Sequence, residues 1–138
     1  MSNLSASVAA RAPLRPFRSS TANLSDGVVT AAHLLLPHLE RGGRIDAVIL
    51  RAAMEQAFGG SDAAGAWDWK TAYDACEAAT VLFLRKYGPV IRARAGSPAA
   101  ELSMLGKIAA LLPTHTRRSE ESQALQQFST PLALGFVA

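Results

Sequence analysis

A single cysteine, Cys76, occurs in the 138-residue chain, so no internal disulfide can form and nothing points to an oxidising compartment. Charged residues are scarce at 18%, and the formal net charge of +3 falls short of the dense basic tail or stripe that marks many nucleic-acid-binding chains. No apolar run approaches the roughly 18–20 residues that span a bilayer, and the N-terminus lacks the continuous apolar core of a secretory signal. Together these absences predict a cytoplasmic protein with no membrane partner. Acid is missing altogether from the first 23 residues, which hold Arg11, Arg15 and Arg18, while the other 115 balance eleven basic against eleven acidic groups. That Ser-, Arg- and Ala-rich opening superficially fits an organellar presequence, but it reads more simply as a disordered leader over residues 1–23.

What the sequence has is hydrophobic content, 49%, enough for one modest core. From Leu24 onward the apolar spacing is helical, and no segment alternates as a half-buried strand would. The expected fold class is all-α, a small bundle of four to five main helices. A first helix opens at Ser25 or Asp26 and closes at Gly42-Gly43, with Pro37 kinking or splitting it. A second runs from an Asp46 cap to Gly59, with Val48, Ile49, Ala52, Met54 and Phe58 mostly inward. The third and longest is capped by Asp68 and ends at Gly88, and its stripe of Trp69, Tyr73, Cys76, Thr80, Phe83 and Tyr87 should be the centre of the core. Pro89 restarts a short segment to Ala95. Ser97-Pro98 then opens a further helix that Pro113 terminates. These elements define a helical domain over residues 24–113.

Residues that carry chemistry are few. His33 and His38 are five apart across Pro37 and do not share a helical face, and no Cys pair or carboxylate cluster joins them or His115, so no metal site is expected. Cys76 on an apolar stripe reads as a small buried thiol with no histidine placed to activate it. The run "FGGSDAAGAWD" follows a helix, not a strand, and lacks the lysine of a phosphate cradle, so it reads as a loop; one of Trp67 and Trp69 should enter the core while the other closes that loop. The basic pairs Arg85-Lys86 and Arg92-Arg94 could touch phosphates but read more simply as a solvated face, with Lys86 in the last turn of its helix. Arg117 and Arg118 are the candidate DNA contacts. No catalytic residue is expected.

The close of the chain is different in kind. Ser129 or Thr130 followed by Pro131 opens a helix, "LALGFVA", of barely two turns. The run "QQFSTP" resembles the first motif of S-adenosylmethionine-dependent DNA adenine (amino) methyltransferases, whose pattern is glycine, glutamine, two aromatics, threonine, proline. Gln127, Phe128, Thr130 and Pro131 match it, while Gln126 replaces the glycine and Ser129 the second aromatic. The blocks "GAWDWKTAYDACEAATVLFLRKYGP" and "LLPTHTRRSEESQALQQFSTPLALGFVA" resemble the amino-terminal part of bacterial, often plasmid-borne, proteins that fuse such a methyltransferase to a strawberry-notch-like helicase.

The resemblance implies that residues 114–138 begin a methyltransferase domain and that Phe128, Thr130 and Pro131 form one wall of an S-adenosylmethionine site. In the family the threonine lies at the methionine end of the cofactor, where a helix N-terminus favours a carboxylate. The Gly-rich turn after the first strand and the Asn/Asp-Pro-Pro-aromatic motif of the family do not occur before Ala138. The chain is therefore expected to bind no cofactor and to be inactive by itself. Its expected role is that of the helical region preceding the catalytic domain, packing on that downstream domain or contacting DNA. The other reading is a stand-alone helical module for protein interaction or DNA binding.

Overall fold

Four helices follow one another in the computed structural model, which describes residues 18–113 and Leu132. They are α1 (Arg18–Glu40), α2 (Ala47–Phe58), α3 (Trp69–Ala95) and α4 (Pro98–Ala109), and no strand occurs among the described residues. The fold is all-α. Each internal start carries a side chain that accepts the free N–H groups of a first turn. Asp46 Oδ1 accepts from Val48 and Ile49 at 3.0 and 2.8 Å. Asp68 accepts from the Thr71 N–H at 2.7 Å, and Ser97 accepts from the Ala100 N–H at 3.2 Å with Pro98 in the first turn.

Termination is by left-handed glycine. After α1, Gly42 at φ 67° donates to the Leu39 carbonyl at 3.0 Å and Gly43 donates to His38 at 2.8 Å, the paired bonds of a Schellman ending. A side chain at Gly42 would be strained in that backbone region. Gly59 and Gly96, both at φ 70°, end α2 and α3 in the same backbone conformation.

Two expected boundaries are corrected. Ser25 and Asp26 are exposed residues within α1 and not its cap, because residues 18–24 contain neither proline nor glycine to stop the helix from extending upstream. Residues 18–23 of the expected leader are thus helical, and residues 1–17 lie outside the described part. At the other site, α3 passes through Gly88 and Pro89 without a break and ends at Gly96. Pro89 is exposed, so the Arg85 carbonyl that its missing N–H leaves open faces water. Pro37, also exposed, is accommodated in the last turn of α1 in the same way and does not split the helix.

The core centres on a seam of small residues. Ala31 and Ala32 on α1 and Ala72, Ala75 and Ala79 on α3 are all fully inaccessible, and α1 and α3 make the most extensive helix contact in the structure. Alanine at these positions lets two backbones approach closely, and the larger Leu35, Leu39, Leu50, Met54 and Trp67 fill the space beside the seam. Of the expected α3 stripe, Cys76 and Thr80 are buried, but Trp69, Tyr73, Phe83 and Tyr87 are only partly so; they flank the seam instead of occupying it. On α2 the buried residues are Leu50, Ala53 and Met54, whereas Val48 is 76% exposed and Ala52 is exposed. The apolar run Ala47–Leu50 gives no helical face by itself, and contact with α1 chose the other side.

Direction follows from side-chain contacts. Phe58, at the end of α2, lies over Gly27 in α1, so α1 and α2 are antiparallel. Glu40, at the end of α1, bonds Lys86 and Tyr87. Residues 71–80 of α3 can lie beside Ala31–Leu39 with that register only if α1 and α3 run the same way. The last two turns of α3 then project past α1, by about 12 Å at 1.5 Å per residue. α4 folds back along this projection, where Ile91 and Leu105 are buried outside the main cluster. Its end reaches the α1–α2 turn, where the Ile45 N–H donates to the Leu111 carbonyl at 2.7 Å.

Overpacking the seam should be costly. Ala75→Leu is expected to destabilise the protein by about 1–3 kcal/mol or more, while Ala52→Leu on the exposed face of α2 should stay within about 0.5 kcal/mol, both read from urea unfolding. A Cβ on Gly27 would meet the Phe58 ring at 2.5 Å. Gly27→Ala should therefore lose stability by about 1 kcal/mol despite its better helix propensity, and should become neutral or stabilising in a Phe58→Ala background.

Candidate functional site

The polar and aromatic side chains gather at two places. At the α2–α3 connection, both indoles are held by the loop they close. The Trp67 Nε1–H donates to the Gly60 carbonyl at 3.0 Å and the Trp69 Nε1–H donates to Asp62 Oδ2 at 3.2 Å. The rings meet edge to face at 5.5 Å, Trp67 is 5% exposed, and Trp69 is partly exposed with the Arg51 guanidinium 5.5 Å from its centroid. Arg51 also lies 4.0 Å from Asp62. One tryptophan thus enters the core and the other closes the loop, as the sequence suggests. With its N–H bonded, one edge packed on Trp67 and a cation already beside it, Trp69 serves the loop's geometry.

The second place is the end of α1. Glu40 Oε1 accepts from Lys86 Nζ at 2.6 Å and from the Tyr87 hydroxyl at 2.9 Å. The Lys86 bond, then the Tyr87 bond, hold the Glu40 carboxyl below its ordinary range, and the same bond to Glu40 raises Lys86. Both side chains meet solvent, Lys86 being 57% exposed, so water screens this pair. Lys86 is not in the last turn of its helix, since α3 continues to Ala95; its partner is a carboxylate on another helix. Arg92 likewise reaches Glu101 on α4, at 3.3 Å. Arg85 and Arg94 are exposed and have no hydrogen-bond or ion-pair partner among the described residues.

Cys76 lies in the main cluster at 4% exposure. Burial, with a smaller contribution from the Glu77 charge, pushes its thiol from the ordinary 9.0 up to about 12. The nucleophilic thiolate is thereby suppressed. Next to it, the Thr80 hydroxyl donates to the Cys76 carbonyl at 2.9 Å, and no buried side-chain polar atom among the described residues lacks a partner. Asp68 is held below its ordinary range by the Thr71 N–H first and the Thr71 hydroxyl second, the signature of a capping carboxylate.

No group of three or more His, Cys, Asp or Glu residues gathers as a metal set among the described residues. His33 is exposed and His38 partly buried. The residues singled out by resemblance, Phe128, Thr130 and Pro131, lie outside the described residues, as do Arg117, Arg118 and His115. Leu132 is described; it is helical and partly buried. No described helix is long and apolar enough to cross a membrane. No family model, curated protein or solved structure matches the chain.

Sequence reasoning missed the Glu40 junction. Its signal is a charged residue at a helix end two positions before a Schellman glycine, but nothing in the local sequence names Lys86 and Tyr87 as its partners.

Native Cys76 should resist a water-soluble disulfide reagent at about pH 8 and react only after denaturant is added, because the raised thiol pKa keeps it protonated and burial keeps it covered. The folded pKa exceeds the unfolded one. Its contribution to stability is therefore fully present below about 9 and is lost as pH rises from there towards about 12, a decline that urea titrations at rising pH would register.

Proposed function

We propose that this chain is the non-catalytic helical region that precedes the catalytic domain in an S-adenosylmethionine-dependent DNA adenine methyltransferase fused to a helicase-like protein. In this reading it carries the first cofactor motif of that domain and no other. The observation that carries the reading is the run Gln127-Phe128-Ser129-Thr130-Pro131, together with the longer blocks Gly65–Pro89 and Leu111–Ala138.

The body's chemistry is consistent with a supporting role. Its buried thiol is held protonated, its tryptophan donors are occupied by the loop, and its carboxylates at helix starts are engaged by backbone N–H groups. Phe128, Thr130 and Pro131 would contribute one wall of a cofactor pocket whose remaining walls come from the downstream domain. Cytoplasmic DNA is the substrate this reading implies for the assembled enzyme.

A second reading, a stand-alone helical interaction module, is favoured by the way α2, α3 and α4 carry their own N-caps within residues 46–97. Gel filtration separates the two. A fragment with Leu132, Leu134, Phe136 and Val137 uncovered should self-associate, and an adapted module should elute as one defined species.

Calorimetric titration of S-adenosylmethionine into the 138-residue chain is expected to give no heat of binding, with or without Thr130→Ala. Micromolar binding that Thr130→Ala abolishes would show a complete pocket and refute the non-catalytic reading.

A further inference from the structure

Charge is sorted along the long axis of the bundle. Where α2 ends and α3 begins, six carboxylates (Asp26, Glu55, Asp62, Asp68, Asp74 and Glu77) accompany two described basic side chains, Arg51 and Lys70. Each of those two is already near a carboxylate, Arg51 at Asp62 and Lys70 at Asp74. At the opposite end, formed by the α1–α2 turn, the C-terminal half of α3 and α4, seven described basic side chains accompany three described acids. All three acids there are engaged: Glu40 by Lys86, Glu101 by Arg92, and Asp46 by the N–H groups it caps. From Ala78 to Ala100 there is no acidic residue.

What is left over at that end is positive. Arg44, Arg85, Arg94 and Lys107 are exposed and make no hydrogen bond or ion pair among the described residues. Arg85 and Arg92 are seven residues apart, which puts them on one side of α3 about 10 Å from each other along the axis. Arg94 lies on the other side, in the part of α3 that extends beyond α1, and both Arg85 and Arg94 are exposed.

We infer that this basic end is a contact surface for the phosphate backbone of a nucleic acid, with Arg44, Arg85, Arg94 and Lys107 as the phosphate contacts. The acidic end repels the same polyanion, so the bundle meets it in one orientation. An anionic membrane fits less well: among the described residues the exposed large apolar side chains beside these cations are valines, Val48, Val81 and Val90, and an interfacial helix needs larger apolar side chains to insert. The inference stands on charge placement alone and does not require the methyltransferase reading.

The test is fluorescence anisotropy of a labelled duplex of about 20 base pairs with the full chain, from about 50 to 200 mM salt. Four phosphate contacts predict a log–log salt slope of about −3 to −4, and Arg85→Ala with Arg94→Ala should reduce its magnitude by about 2. The paired Arg85→Lys and Arg94→Lys variant should keep binding, and circular dichroism should show both variants folded, since neither side chain has a partner among the described residues. No binding at about 50 mM salt would overturn the inference, as would a slope that responds to Arg117→Ala with Arg118→Ala and ignores the Arg85 and Arg94 changes. Low-salt self-association of the DNA-free protein that the Arg85 and Arg94 changes disperse would also overturn it, by assigning the surface to the acidic end of a second copy.

Discussion

The close approach of α1 and α3 along their alanines is the constraint on which the rest of the structure depends. A seam of Ala31, Ala32, Ala72, Ala75 and Ala79 buries little area per residue, so it stabilises chiefly through the density of contact between two backbones. The substantial hydrophobic gain comes from the larger side chains packed around it, roughly 1.5–3 kcal/mol for each fully buried Leu or Met. Leu35, Leu50 and Met54 have room only because the seam takes none. Phe83 and Tyr87, their rings tilted against each other at 4.8 Å, and Trp69 with Tyr73 at 6.3 Å are pushed to the flanks for the same reason.

A seam of small side chains is smooth, and smooth surfaces specify register poorly. Sliding one helix by a turn, about 5.4 Å, would again set alanine near alanine. The polar contacts at the two ends of the seam remove that ambiguity. Glu40 holds Lys86 and Tyr87 at one end, and at the other the Trp67 bond to Gly60 fixes the connection from which α3 starts. The screened Glu40–Lys86 pair therefore matters more for choosing one alignment than for adding stability, a use of polar groups that buried registers in coiled coils also show.

Much of this was legible in the sequence wherever the cause is local. Asp46, Asp68 and Ser97-Pro98 each announce a helix start through the chemistry of a single side chain, and each is a cap in the structure. Gly59 announces a stop for the same reason. Gly88-Pro89 misleads because its signal is a missing N–H and a missing side chain, both of which a solvent-facing helix tolerates, whereas Gly96 ends α3 by adopting a left-handed backbone that no local rule forces on it. Val48 misleads because four consecutive apolar residues carry no face. The aromatic stripe misleads because size suggests a centre, while the centre is set by which residues let two helices touch. Of the residues assigned by resemblance, none falls in the described part, so the legibility of that site is a matter of motif alone.

The bond from the Ile45 N–H to the Leu111 carbonyl closes the structure across most of its length. Ile45 is fully inaccessible, so its N–H has no water to fall back on. During synthesis the seam can assemble as soon as α3 has emerged, but this donor stays unmatched until the residues after α4 leave the ribosome. The smallest piece that can be excised as an autonomous unit consequently extends through Leu111, and a boundary drawn at the end of α3 or inside α4 would leave a hole in the backbone pairing beneath the α1–α2 turn.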